Sequence, residues 1–325
     1  MRPSRWLILA AVAAATTLGA TPASAQTVTR TWVSSTGDDA NPCSRVAPCR
    51  TFTGAMAKTA PYGEVNCLDS GDFGPGFRVL ESITISCEGV FAGVDMSADN
   101  GGGGAVVSAG PTDVVVLRGL SFNALQSAQP APIGILIYQA GSVVIDHCFI
   151  NNVHKFVSPP LVGSGIELYT DSDTRLTVID TVIDNVSGSA IQIQPLAGNA
   201  QILVDNVRAA GSFYGLRVQN IGAGALGAIS GVVRHSSFRD SVGWGILVDN
   251  SGASPNMSLM VDHDTIIGDG VGLQTLGVNA GMIVGGSTVT ANGTGVQGLL
   301  FSYGDNRVNG NPAGDGTFTA TIPTK

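Results

Sequence analysis

The chain has 325 residues, of which 44 are Gly, 44% are hydrophobic and only 12% are charged, with a formal net charge of −8. Gly is nearly doubled and charge about halved relative to an average soluble protein. A disordered chain is charge-rich and apolar-poor, a coiled coil needs Glu, Lys, Ala and Leu at helical spacing, and collagen needs Gly at every third position, so all three are excluded. What remains is a β-rich, turn-rich protein long enough to bury a large core.

In chain order, residues 1–25 read as a cleaved signal peptide. Arg2 and Arg5 form its basic end, Trp6 to Ala15 is a short apolar run, and Ala23-Ser24-Ala25 is a small-residue cleavage site ending at Ala25. The apolar run is too short to span a bilayer. Export to the periplasm or the extracellular space is therefore expected, not integral membrane insertion. Loss of Arg2 and Arg5 leaves fourteen basic against twenty-four acidic residues. A nucleic-acid binder presents a basic surface, so nucleic acid is not an expected partner.

Residues 26–75 form an entry segment with a Pro-rich loop and a short helix. Cys43, Cys49, Cys67 and Cys87 suit a disulfide-permissive compartment. Four Cys allow three connectivities; proximity favours 43 with 49 and 67 with 87. Cys148 is left over, at an apolar position, and reads as a buried thiol. No Cys/His spacing suggests zinc, and no metal is expected. Thr51 to Ala60 is the best helical stretch, with Phe52, Ala55, Met56 and Thr59 as an inner face covering one end of the fold.

Residues 76–308 carry a repeat. Leu120, Cys148, Val182, Val207, Phe238, Ile266 and Val289 align as anchors at spacings of 28, 34, 25, 31, 28 and 23 residues. Asp146, Asp180, Asp205 and Asp264 stand two residues before their anchors, and Asn123, Asn151, Asn185 and Asn292 three after. Each unit resumes with a small residue and an aliphatic one, as in Gly134-Ile135, Gly165-Ile166, Ala190-Ile191 and Gly215-Leu216. A period of 23–34 residues with variable insertions indicates a solenoid. Three β-branched segments per unit, without helical spacing, make it all-β: a parallel β-helix of three-strand coils with a short N-terminal capping helix. Residues 309–325 form a Gly/Pro/Thr-rich tail expected to pack loosely on the last coil.

TWVSSTGDDANPCSRVAPCRTFTGAMAKTAPYGEVNCLDSGDF (31–73), ESITISCEG (81–89) and LFSYGDNRVNGN (300–311) resemble the entry and closing coils of secreted bacterial right-handed parallel β-helix repeat proteins of the pectin-lyase-like superfamily. The resemblance spans nearly the whole chain after residue 25 and implies the right-handed fold. It leaves activity open, because that superfamily holds lyases, hydrolases, epimerases and non-enzymatic adhesins.

Strand residues alternate faces. With Ile166 inward, the outward positions of the third strand read Leu136/Tyr138, Glu167/Tyr169, Gln192/Gln194, Arg217/Gln219, Leu247/Asp249 and Gln274/Leu276. Rings cover the apolar faces of sugars, while amides and charges bond their hydroxyls and carboxylates. Tyr138, Tyr169, Gln192, Gln194 and Gln219 are the candidate binding residues. In related β-helix enzymes this sheet forms the substrate groove. A β-eliminating lyase needs a base and carboxylates, with Ca²⁺ to offset a substrate carboxylate. Arg217 is the candidate base, and Glu167 and Asp249 the auxiliary acids; no cofactor other than that Ca²⁺ is implied. A glycoside hydrolase needs two carboxylates facing across the bond, and Glu167 and Asp249 are three coils apart, about 14 Å at the strand spacing.

Asp146-His147-Cys148 resembles the IDH segment of pectate lyases, but Asp146 belongs to the repeat column and reads as a structural turn. The Arg-x-Pro-x-x-Arg motif of those lyases is missing, since Arg234 to Arg239 holds no Pro. Asp146, Asp180 and Asp205 are expected to share one column, each accepting backbone N–H bonds. The leading expectation is a non-catalytic polysaccharide-binding or surface protein. The alternatives are a polysaccharide (pectate-type) lyase and a structural envelope protein without ligand.

Overall fold

The computed structural model describes residues 27–96, 103–124, 133–154, 163–220, 227–252 and 255–323. The expected signal peptide lies outside them. Each coil contributes one strand to each of three parallel sheets. Among the described residues these hold twelve, ten and nine strands, stacked from Val28–Val33 to Ala320–Thr321. The chain is a right-handed parallel β-helix, the hand that β-strand crossovers favour. One full coil runs Ser142–Asp146 in the first sheet, Phe149–Val153 in the second and Ser164–Leu168 in the third. The next coil stacks on it in constant register, with Val143 on Leu176, Ile150 on Ile183 and Ile166 on Ile191.

Alternation along each strand turns one face of every sheet inward. Ladders such as Ile135, Ile166, Ile191, Leu216, Ile246 and Leu273 are fully buried and form one continuous core. The small residue before each of these is set by space. A Cβ on Gly165 would meet the Ala190 carbonyl oxygen at 2.6 Å and the Ile183 Cγ2 at 2.7 Å.

The helix is shorter than the sequence suggested. It covers Phe52–Met56, with Thr51 as N-cap accepting from the Gly54 amide; Thr59 already opens the strand Thr59–Cys67. Phe52 is wholly buried, its ring 5.4 Å from Phe73 and 5.2 Å from Phe77. Cys43–Cys49 and Cys67–Cys87 are bonded, the second tying neighbouring strands of the first sheet. Cys148 is a buried thiol whose pKa burial pushes up to about 12, so it is no nucleophile. The tail continues the stacking: Gly295 and Val296 donate to Gly314 and Asp315, and Asn311 is buried.

The repeat columns need one correction. Val182 stacks on Phe149, not on Cys148, and Phe238 stacks on Ala209, not on Val207. Asp146 stacks on Ile179, and Asp205 on Ile179 and Arg234. Asp180 sits one residue later, at a left-handed bend shared by His147, Asn206, His235 and His263, all with φ between 48° and 57°. Asn, Asp and His tolerate that conformation better than other side chains. Asp264 stands one position further still, inside the coil. The Asp residues therefore play three different roles in the first bend.

Candidate functional site

The first bend holds an inward polar ladder that the anchor alignment concealed. Ser236 N donates to Asp264 Oδ1 (2.6 Å), Asp264 N to Ser287 Oγ (3.1 Å) and Ser287 N to Asn306 Oδ1 (2.9 Å). The second bend holds its counterpart: Ser241 N donates to Asp269 Oδ1, Asp269 N to Asn292 Oδ1 and Asn292 N to Asn311 Oδ1. Each side chain satisfies an amide of the preceding coil, which is what a buried N–H requires. Burial pushes the carboxyls of Asp264 and Asp269 up to about 7, against the pull of those amides. These groups hold the scaffold and face away from solvent.

The outer face of the third sheet is different in kind. Glu167, Gln192 and Arg217 are consecutive partners across three coils, flanked by Leu136 and Leu247. Two aromatic pairs border this column. Tyr138 and Tyr169 meet edge to face at 6.4 Å. Tyr214 and Trp244 stack at 5.1 Å with 12° between their planes, and Phe213 closes on both. Tyr214 and Trp244 were not singled out from the sequence, although each immediately precedes a small–aliphatic pair and so occupies one repeated position.

Arg217 lies over the Tyr214 ring, its guanidinium carbon 4.5 Å from the centroid, and its Nε is buried without a hydrogen-bond partner. No ion pair among the described residues engages it. Glu167 is half-buried; burial raises its pKa, partly offset by a hydrogen bond from the Ser164 hydroxyl.

The amides form a chain. Ser189 Oγ donates to Gln192 Oε1 at 3.0 Å, Gln192 Nε2 to Gln194 Oε1 at 3.0 Å, and Gln219 Nε2 to the same Gln194 oxygen. Further along, Trp244 Nε1 donates to Gln274, whose Nε2 donates to Gln297 at 2.9 Å. Gln219 is buried rather than presented outward, as are Leu136, Leu247 and Gln274. Its amide bonds Gln194.

The three candidate catalytic residues are not joined. Glu167 and Arg217 are separated by the Gln192 coil, about 10 Å at the strand spacing. Asp249 stacks on Gln219 rather than on Arg217, and accepts from the backbone and hydroxyl of Ser251.

With this geometry in hand, the comparisons bear on fold. No protein-family model matches the sequence, and no curated protein matches it. Among solved structures the chain is similar to pectate lyase Pel9A, with a TM-score of 0.54 at 12% identity over 78% of each chain. The two share a right-handed parallel β-helix fold. Two structures of the GH136 lacto-N-biosidase from Eubacterium ramulus also match, at TM-scores of 0.39 and 0.38 and identities of 10% and 9%. They cover 90% of this chain, which spans 66% and 67% of theirs.

Proposed function

We propose that the chain is an exported, non-catalytic polysaccharide-binding protein that holds its glycan on the outer face of the third sheet. The observation that carries this reading is the Tyr214–Trp244 stack with Arg217 lying over it, beside the Gln192–Gln194 amides. Stacked rings offer a flat apolar surface to a pyranose, and the half-buried Arg217 guanidinium and the amide groups meet hydroxyls or a carboxylate. Tyr138 and Tyr169 extend the surface toward the N-terminal coils, and the two disulfides accord with an oxidising compartment after export.

A glycan array tests the reading. The wild type is expected to retain at least one polysaccharide, and Tyr214→Ala with Trp244→Ala to lower that retention at least tenfold without moving the melting temperature by more than a few degrees. Retention unchanged in the double variant would reject the face.

The likeness of fold to a pectate lyase favours a second reading, a polysaccharide lyase with Arg217 as base, Glu167 and Asp249 as auxiliary acids and Ca²⁺ on the substrate carboxylate. Its signature is an unsaturated, ultraviolet-absorbing product from uronate polymers with Ca²⁺, lost in Arg217→Ala. The separation of the three residues supports binding over turnover. An envelope protein without ligand would show neither retention nor product.

A further inference from the structure

The first bend lies at a different corner of the coil from the third-sheet face, and it gathers three of the four His residues. His235 has Asp205 at 3.1 Å, whose other oxygen is taken by Arg234, and His263 has Asp262 at 2.9 Å. His147 differs from both. Its Nδ1 lies 2.5 Å from Asp146 Oδ1 and 3.8 Å from Asp180 Oδ2. The three ligand atoms all fall within 4.8 Å of one another, and among the described residues no other such group occurs.

Both carboxylates are held from outside the group. Asp146 is buried, and its second oxygen accepts from Arg118 Nε at 2.7 Å. The second oxygen of Asp180 accepts from Asn206 Nδ2 at 2.5 Å. Each aspartate is thus anchored by one oxygen and turns the other toward the imidazole. Such outer partners orient metal ligands and tune their affinity. His147 also borders an open hollow of about 460 Å³, lined by Cys87, Glu88, Gly89, Val90 and Gly119, which leaves room for water on a bound ion.

We propose that Asp146, His147 and Asp180 form a binding site for a divalent transition-metal ion, with Zn²⁺ as its probe. One imidazole nitrogen with two carboxylate oxygens suits Zn²⁺, Ni²⁺ or Cu²⁺, whereas Ca²⁺ and Mg²⁺ take oxygen ligands. Ligands about 2.0–2.2 Å from one ion stand about 3–3.5 Å apart, so from 3.8 Å Asp180 closes on Nδ1 by about 0.3–0.8 Å, from 2.5 Å Asp146 retreats from it by about 0.5–1 Å, and any pair near the 4.8 Å limit draws in by more than about 1 Å. The ion displaces any proton from Nδ1 into solvent. Arg118 is the one cation in the group; its pairing with Asp146 and with Glu88 at 3.3 Å offsets its repulsion of the ion.

Calorimetric titration of the chelator-treated full chain with ZnCl₂ at pH 7.5 tests the site. One ion per chain is expected. His147→Asn keeps a residue suited to the left-handed bend, as Asn206 shows two coils further along, while removing the imidazole. It is expected to weaken binding at least tenfold, as is Asp180→Asn, with melting curves confirming that both variants fold. His235→Ala is expected to leave binding unchanged. Cu²⁺ in place of Zn²⁺ should show nitrogen coupling in its paramagnetic resonance spectrum that His147→Asn removes. Absence of stoichiometric binding, undiminished binding in His147→Asn, or its loss in His235→Ala would overturn the proposal.

Discussion

Asp264 and Asp269 show how a side chain of one chemistry acquires a role from its place in the coil. Both lie on inward ladders that are otherwise made of Ser and Asn, and burial raises both carboxyls to about 7. Their protonated forms are favoured in the fold. The stability they contribute is present in full below the usual carboxylate range and is lost as pH rises toward 7 and beyond. Asp39, Asp69, Asp113 and Asp205 work in the opposite sense: hydrogen bonds and nearby charges outweigh burial and hold their carboxyls low, so their stability is lost in acid. Melting temperature is therefore expected to rise from pH 8 to pH 5 and to fall again below about pH 4. Asp269→Asn should remove part of that rise. By register its amide would reach the Phe238 carbonyl, as Asn292 reaches Ile266 and Asn311 reaches Val289. At about 1.4 kcal/mol per pH unit of displacement, the gain at pH 8 is on the order of 2–4 kcal/mol and shrinks toward zero in acid. Denaturant titrations at the two pH values check it. These two carboxyls were not legible in the sequence, because an Asp at a strand end, in a bend or inside a ladder looks alike when coil lengths differ as widely as 33 residues from Phe149 to Val182 and 19 from Val289 to Val308.

Among the elements, the third-sheet strands were the most legible, because space fixes their start. A small residue followed by an aliphatic one recurs on every coil, and the stacked register Ile135–Ile166–Ile191–Leu216 follows it without a slip. Ala190 fits a single methyl into this column, but Gly165 faces the Ala190 carbonyl and the Ile183 side chain too closely for a branched one. Gly165→Val is expected to destabilise by about 1–3 kcal/mol or more, as overpacking does, with Gly165→Ala milder; thermal melts of the pair give the order. The helix was legible in place but not in length. Thr51 caps it and Phe52 and Ala55 anchor it, yet Thr59 is claimed by the next strand, whose ladder bonds outweigh one further helical turn. The aromatic stack was missed for a related reason: alternation was counted from the aliphatic residue onward, and Tyr214 and Trp244 stand just before it.

At the scale of the molecule, an acidic solenoid carries, among its described residues, a face where rings, amides and the Arg217 guanidinium converge. The formal charge of −8 repels polyanions at long range, while a half-buried Arg217 contact is screened little by salt. If the retained glycan is acidic, raising ionic strength from about 0.05 M to about 0.5 M is expected to speed its capture; a neutral glycan would show no such change, and association kinetics distinguish the two. The fold was readable because stacking demands repetition, and repetition is visible in one sequence. The face was readable only in part, because binding rests on which outward groups remain free after neighbouring coils have bonded one another. Gln219 lost its expected place that way. The most direct test is hydrogen–deuterium exchange with and without the retained polysaccharide. Protection is expected at 189–194, 214–219 and 244–250 and not in the first-sheet strands Thr174–Ile179 or Ala200–Asp205. Protection confined to the first sheet or the bends, with the third sheet unchanged, would contradict the account.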